Sequence, residues 1–334
     1  MRSHGIAFAL ALATLLGHSA EAGVNQWTVT GPQINVQAMA VDPRNPNVLY
    51  AVAEDTVARS DDRGETWTLT TVPGLLAPST IRIAPSVPTT FYALGFGVLF
   101  RSTTGGTSWT RRGLPSVGFQ HDLKVDPNSA DVLVMAATNF CFLGCSGGGV
   151  YRSDNGGGSW RSIGLKDSNV WHVAIDSTSS QVVYASTHAT LFRTVNGGRS
   201  WTAISPQDGG EIHDIVVDPL ISATVYAATE AGIFRSLDSG NSWELIRSSQ
   251  YGSTLGDPPH GSRLVLASAM GTAVSLDQGE TWRELSTANS GLDFRGLTQI
   301  VAAGDRYYMV TNLAGVSGQI VVYELRLPRR RSVR

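Results

Sequence analysis

Three dipeptides carry the side chains best suited to hold or transform a ligand: His121-Asp122, Trp171-His172 and His213-Asp214. Imidazole can accept, donate or ligate near neutral pH, carboxylates can serve as acid–base groups, and indole offers a flat apolar face with one donor. All six residues stand at one register, four or five positions ahead of a recurrent Asp-Pro-type landmark. Five before it, successive units read Gln37, Ser79, His121, Trp171 and His213, and four before it Ala38, Thr80, Asp122, His172 and Asp214. Asp122 and Asp214 are the pair that acid–base hydrolysis of a glycoside would require. A simpler role, satisfying loop backbone at strand ends, is open to the same polar groups. Adjacent residues of a strand point to opposite faces, so His121 and His213 are expected on one face and Asp122, His172 and Asp214 on the other. On this pattern no catalytic residue, metal site or cofactor is assigned.

The elements that position these residues come from an internal repeat. The landmark occurs as Asp42-Pro43, Ala84-Pro85, Asp126-Pro127, Asp176-Ser177, Asp218-Pro219 and Asp257-Pro258. Each is followed by an eight-residue box, of which Ser236-Leu237-Asp238-Ser239-Gly240-Asn241-Ser242-Trp243 is the clearest copy. A short acidic side chain two residues before glycine suits a tight turn, hydroxyls at both ends can tie that turn, and the tryptophan is an apolar anchor. The boxes end at Trp67, Trp109, Trp160, Trp201, Trp243 and Trp282, at intervals of 39 to 51 residues. Landmark and box tryptophan are 25 residues apart in five units and 34 apart in the third, which marks an insertion there. The box acid is Asp62, Asp238 or Asp277 in three units and is replaced by Thr104, Asn155 and Asn196 in the others, whose turns must use neutral hydrogen bonds.

These boxes resemble the BNR or Asp-box repeats of sialidases, xyloglucanases, sortilin-type receptors and photosystem II assembly factors. The resemblance spans nearly the whole chain and implies an all-β propeller, with the box on the outer part of each blade and away from any ligand face. It therefore speaks for architecture rather than activity.

Each unit carries four strand signals, in the fifth Ile212 to Val217, Thr224 to Thr229, Gly232 to Ser236 and Trp243 to Ile246. A four-stranded unit of this kind must stack on its neighbours to bury both faces. Gln26 to Thr30 matches the strand that follows a box yet has no box before it. Gln299 to Ala302, Tyr307 to Thr311 and Gln319 to Leu325 look like three strands without a box after them. The expectation is a seven-bladed β-propeller spanning residues 23–327, closed by the N-terminal strand, which completes the last blade and removes the free edges. Inner strands would then converge on an axial channel, bringing the His/Asp/Trp register to its mouth and Arg82 and Lys124 to its wall, where they could also pair with acids.

Residues 1–22 read as a secretory signal peptide, with Arg2 and His4 ahead of the apolar run Ile6 to Leu16 and cleavage expected after Ala22. That run is too short to cross a bilayer, which takes about 20 residues, so a secreted or periplasmic protein without a membrane span is expected. In such a compartment Cys141 and Cys145, in the insertion Asn139 to Cys145, are expected to form a local disulfide beneath Phe140, Phe142 and Leu143. The net charge is −2, with 16% charged residues, and gives no reason to expect nucleic acid. The tail 328–334 is basic and expected to be solvated. Arg59, Arg101, Arg152, Arg193 and Arg235 precede five boxes at one position, which points to a repeated structural role.

The functional expectation is a monomeric binding or assembly module with a protein or glycan partner at the channel mouth. The alternatives are a sialidase-like or xyloglucanase-like glycoside hydrolase and a photosystem II assembly factor-like scaffold. Arg82-Ile83-Ala84-Pro85 departs from the sialidase Arg-Ile-Pro signature by an inserted alanine and fits the landmark strand instead.

Overall fold

The computed structural model describes residues 27–32, 34–139, 147–248, 253–256, 264–268, 271–285, 297–313 and 316–324. The expected signal peptide, the expected Cys141–Cys145 bridge and the basic tail lie outside the described residues.

The chain forms seven four-stranded antiparallel sheets, each built from strands in sequence order except one. That exception joins Trp27–Thr30 to Val316–Glu324, with Thr30 opposite Ile320, and continues to Arg306–Leu313 and Leu297–Ala303. Both ends of the chain thus supply one sheet. The first strands of the seven are Ala38–Asp42, Thr80–Ile83, Gln120–Asp126, His172–Ile175, Ile212–Val217, Ser253–Gly256 and Leu297–Ala303. Each touches the next in this order, and Leu297–Ala303 returns to Ala38–Asp42. In the fifth unit the strands lie at Ile212–Val217, Val225–Thr229, Gly232–Ser236 and Glu244–Ser248. The fourth starts one residue later than read from sequence, because Trp243 belongs to the turn.

Burial follows from the alternation of apolar residues on the second and third strands. Tyr50, Leu49, Ala51 and Val52 are all buried, yet they divide between two core clusters, one on each side of the first sheet. Every box tryptophan packs, partly buried, into the cluster between its own sheet and the preceding one: Trp67, Trp109, Trp160, Trp201, Trp243 and Trp282. The indole N–H of Trp160, Trp201 and Trp243 reaches back to the carbonyls of Gly113, Ile163 and Ile204 in the preceding unit. Trp67, Trp109 and Trp282 instead donate to the glycine carbonyl of their own box.

The box works as a closed hydrogen-bond loop. Ser236 Oγ donates to Asp238 Oδ1 at 2.8 Å and accepts from Gly240 N at 2.7 Å, while Asp238 accepts from both N and Oγ of Ser242. Those donors hold the Asp238 carboxyl down to about 2. Gly240 is at φ 91°, so the turn demands glycine, and a Cβ there would also displace the tip of Ile204, whose Cδ1 would lie 2.4 Å away. Asn155 and Asn196 reproduce the loop neutrally by donating Nδ2–H to Ser159 and Ser200.

The arginines ahead of the boxes mostly stitch one unit to the next. Arg152 donates to Ser180 O, Arg193 to Ser239 O, and Arg235 to Gln278 O and Glu280, while Arg101 pairs with Asp131. Arg59 differs, pairing with Asp61 of its own unit. Between the last and first sheets Arg63 pairs with Asp305, and Tyr308 donates to Arg63 O.

Asp238→Ala should lower the melting temperature at neutral pH, and Asp238→Asn should lower it less, since Asn155 and Asn196 serve the same turn. The carboxyl is depressed in the folded chain, so its stabilisation is present above the ordinary 3.8 and fades as pH falls to about 2. Calorimetric scans of wild type and Asp238→Ala should therefore converge over that interval; a constant gap would contradict the hydrogen-bond origin.

Candidate functional site

The first strands do more than line the axis. In the third, fifth and seventh sheets each carries a β-bulge, with His121, His213 and Thr298 as the extra residue. The residue after each bulge reaches across to the next sheet. Asp122 accepts from Val173 N at 3.2 Å, Asp214 from Leu255 N at 3.0 Å, and Gln299 from Met39 N at 2.8 Å while donating to Met39 O at 3.0 Å. A bulge re-aims side chains, and here it turns three of them onto neighbouring backbone.

These bulges interrupt the strand alternation from which the two faces were read. Because His121 and His213 sit in bulges, the strict period of two is broken where it was applied. The His121 ring lies 4.1 Å from the ring of Trp171, which lies 4.5 Å from that of His188, centroid to centroid. His121 Nε2 is 3.1 Å from Thr138 Oγ1. The Trp171 indole N–H is buried without a hydrogen-bond partner among the described residues. His172 follows Trp171 and lies between the Asp122 and Asp214 registers, with Nδ1 4.0 Å from Asp214 Oδ1, too long for a hydrogen bond.

Burial lowers the pKa of His121 to about 4, aided by His172 and His188. Burial likewise lowers His172, against the pull of Asp122, and His213, against Glu211 and Glu230. The three are neutral near pH 7, so His172 and Asp214 do not form an ion pair there. Ile212, next to His213 in the chain, lines a concavity of about 400 Å³ together with Asp208, Glu211 and Glu230.

Asp122 and Asp214 are both engaged. Asp122 is 8% exposed, 3.4 Å from Arg82 Nη2 and 4.0 Å from Lys124 Nζ, and Asp214 also accepts from Ile215 N at 2.8 Å. The Asp214 carboxylate thus bonds two backbone N–H groups, so removing it should cost stability. Among the described residues no group of three or more His, Cys, Asp and Glu side chains is placed to hold a metal ion. No helix among them is long and apolar enough to cross a membrane.

Sequence reasoning missed His188 and Gln299. His188 lies in the turn between Val183–Ser186 and Leu191–Thr194, off the landmark register. Gln299 belongs to the sheet that has no landmark, although it stands four residues before Ala303, the last strand residue ahead of the turn at Gly304 and Asp305, much as Asp122 stands before Asp126.

Neither a protein-family model nor a curated protein matches the chain. Solved structures do resemble it in fold. YCF48 bound to a D1 peptide has a TM-score of 0.64 and 18% identity, over 92% of this chain and 97% of that one. The GH74 xyloglucanase from Xanthomonas campestris has a TM-score of 0.67 and 18% identity, over 91% of this chain but 55% of the enzyme. Catalytically inactive virginiamycin B lyase from Staphylococcus aureus, with quinupristin, has a TM-score of 0.67 and 12% identity, over 90% and 99%. The resemblance is to β-propellers that include both a peptide-bound protein and enzymes, and at these identities it speaks for the fold alone.

The depressed histidines give this cluster a pH signature. A base whose folded pKa lies below its unfolded value contributes stability above the unfolded value and loses it on acidification. For His121 that interval runs from the ordinary 6.5 to about 4. Urea unfolding followed across it should show stability falling with pH, and His121→Gln should flatten the fall. An unchanged slope would mean the ring is not desolvated in solution.

Proposed function

We propose that this protein is an exported, monomeric binding module: a seven-bladed Asp-box propeller over residues 23–327 whose channel mouth holds a segment of a protein partner. Seven sheets, with first strands in contact in order and the last meeting the first, support seven blades closed by the N-terminal strand. Export rests on the signal-peptide pattern of residues 1–22, and the proposed Cys141–Cys145 disulfide is consistent with that compartment.

The observation that carries the binding reading is the His121–Trp171–His188 stack at the mouth, in which His188 is exposed and the Trp171 indole N–H is buried without a partner among the described residues. Aromatic groups with one polar tip are common anchors at protein interfaces. A hydrolase would need two carboxylates free to face a substrate, whereas Asp122 and Asp214 bond backbone and, for Asp122, two cations. A protein partner is preferred to a glycan because a fold neighbour, YCF48, is bound to a peptide.

Immobilised protein exposed to envelope extract of its source cell should retain a protein partner. Trp171→Ala and His188→Ala should each release it, and the remote exposed Arg199→Ala should not. A glycan retained in place of protein would shift the ligand class. Product released from xyloglucan or aryl-glycosides, and lost in both Asp122→Asn and Asp214→Asn, would replace binding with glycoside hydrolysis.

A further inference from the structure

The turn between the second and third strands of a sheet lies at the same end as the loop entering its first strand, the end that carries His121, Trp171 and His213. Charge is segregated there. Among the described turns and loops of that end, carboxylates stand at Glu54, Asp55, Asp167, Asp208, Glu211 and Glu230, and Lys166 is the one lysine or arginine. The chain as a whole is nearly balanced, at −2, so this negative excess belongs to the end and not to the composition. A surface of one sign attracts groups of the other sign and repels its own.

Apolar side chains at the same end are segregated too. Leu76 and Phe96 are 58% and 64% exposed, and Phe96 N–H donates to Leu76 O at 2.8 Å. The Phe96 ring lies 5.5 Å from that of half-buried Phe119, centroid to centroid. Phe119 O accepts from the N–H of Thr138, whose Oγ1 is the group 3.1 Å from His121 Nε2. From His121 the surface continues through Trp171 to exposed His188. His188 O accepts from Ile212 N at 2.8 Å, and Ile212 and Ala189 both enter the wall of the concavity that bears Asp208, Glu211 and Glu230. All three acids are exposed, and no lysine or arginine among the described residues pairs with them. Contact by contact, one track thus runs over the second to fifth sheets, apolar at Leu76 and Phe96, aromatic in the middle and acidic at its far end. Single exposed apolar residues are ordinary, but a run of them joined to an aromatic stack marks a docking surface.

We infer that this track selects the partner segment by sequence: a peptide with apolar or aromatic side chains at one end, held by Leu76 and Phe96, and lysine or arginine at the other, held by Glu211 and Glu230. The inference rests on the mouth stack as a binding surface and adds the chemistry of what that surface takes. Burial of the apolar end supplies the anchor. The acids supply charge complementarity and reject acidic segments, so the two ends together fix the direction in which the peptide lies.

A phage library of random octapeptides panned on the immobilised full chain tests it. Enriched sequences should join leucine or an aromatic residue to lysine or arginine, and should be poor in aspartate and glutamate. In fluorescence anisotropy the peptide selected most often should lose at least tenfold in affinity for Phe96→Ser and for Glu230→Lys, both changes of exposed turn side chains. Glu211→Lys makes the same charge change should Glu230→Lys fail to fold. Leu237→Ser, equally exposed but in a box turn at the opposite end, should bind as wild type does. Exchanging the basic residues of the peptide for glutamate should abolish binding to wild type and restore it to Glu230→Lys. Binding lost in Trp171→Ala but intact in Phe96→Ser and Glu230→Lys would overturn this inference and keep the mouth stack. Binding that survives Trp171→Ala would remove the stack and the inference with it. Enriched sequences without a basic residue, or no enrichment over an unrelated protein, would equally overturn it.

Discussion

No sheet in this chain has a core of its own. Among the described residues the first five sheets each bury one face against the sheet before and the other against the sheet after, and the tyrosines, valines and alanines of their second strands are divided between those two layers. The inter-sheet layer is therefore the constraint on which the rest depends. It explains why each box tryptophan leans back onto the preceding unit and why arginines reach forward to the next. It also explains why three first-strand side chains are given up to neighbouring backbone.

The last of these shapes the functional reading. Asp122 and Asp214 stand where a ligand would approach, and from their residue types alone they look like chemistry. Their carboxylates are instead part of what holds adjacent sheets in register. The groups beside them are imidazoles, whose pKa values burial and neighbouring histidines lower, with the Trp171 indole packed against His121. Such a surface is suited to holding a partner by packing and selective hydrogen bonds more than to moving protons.

The architecture was legible because the box is a local device: its glycine, hydroxyls and acid each have a steric or hydrogen-bonding reason to recur, and that recurrence gave the strand positions to within a residue or two. The landmark likewise reports a local turn, with Asp126, Asp176 and Asp218 accepting from backbone two or three residues on. The site was legible only in part. Register brought His121, Trp171, His172 and His213 to one end of the units, but bulges at His121 and His213 broke the alternation used to assign their faces. A bulge adds one residue without a composition signal. His188 joins through a turn of the fourth unit, and Gln299 through the sheet made from both termini; neither contact follows from the repeat.

The bond pair between Gln299 and Met39 links residues 260 apart in sequence. Every other sheet can dock as soon as its neighbour has been made, but this junction needs nearly the whole polypeptide. The entropy of closing so long a loop rises only logarithmically with its length, about 0.6 kcal/mol per doubling. The burden falls on the search for the partner more than on the final stability, since non-local pairing slows folding. Until that search ends, the first and last sheets each leave a flank uncovered. The interval before the strands Leu297–Ala303 and Ala38–Asp42 meet is thus the period in which this chain is most exposed to association with other chains.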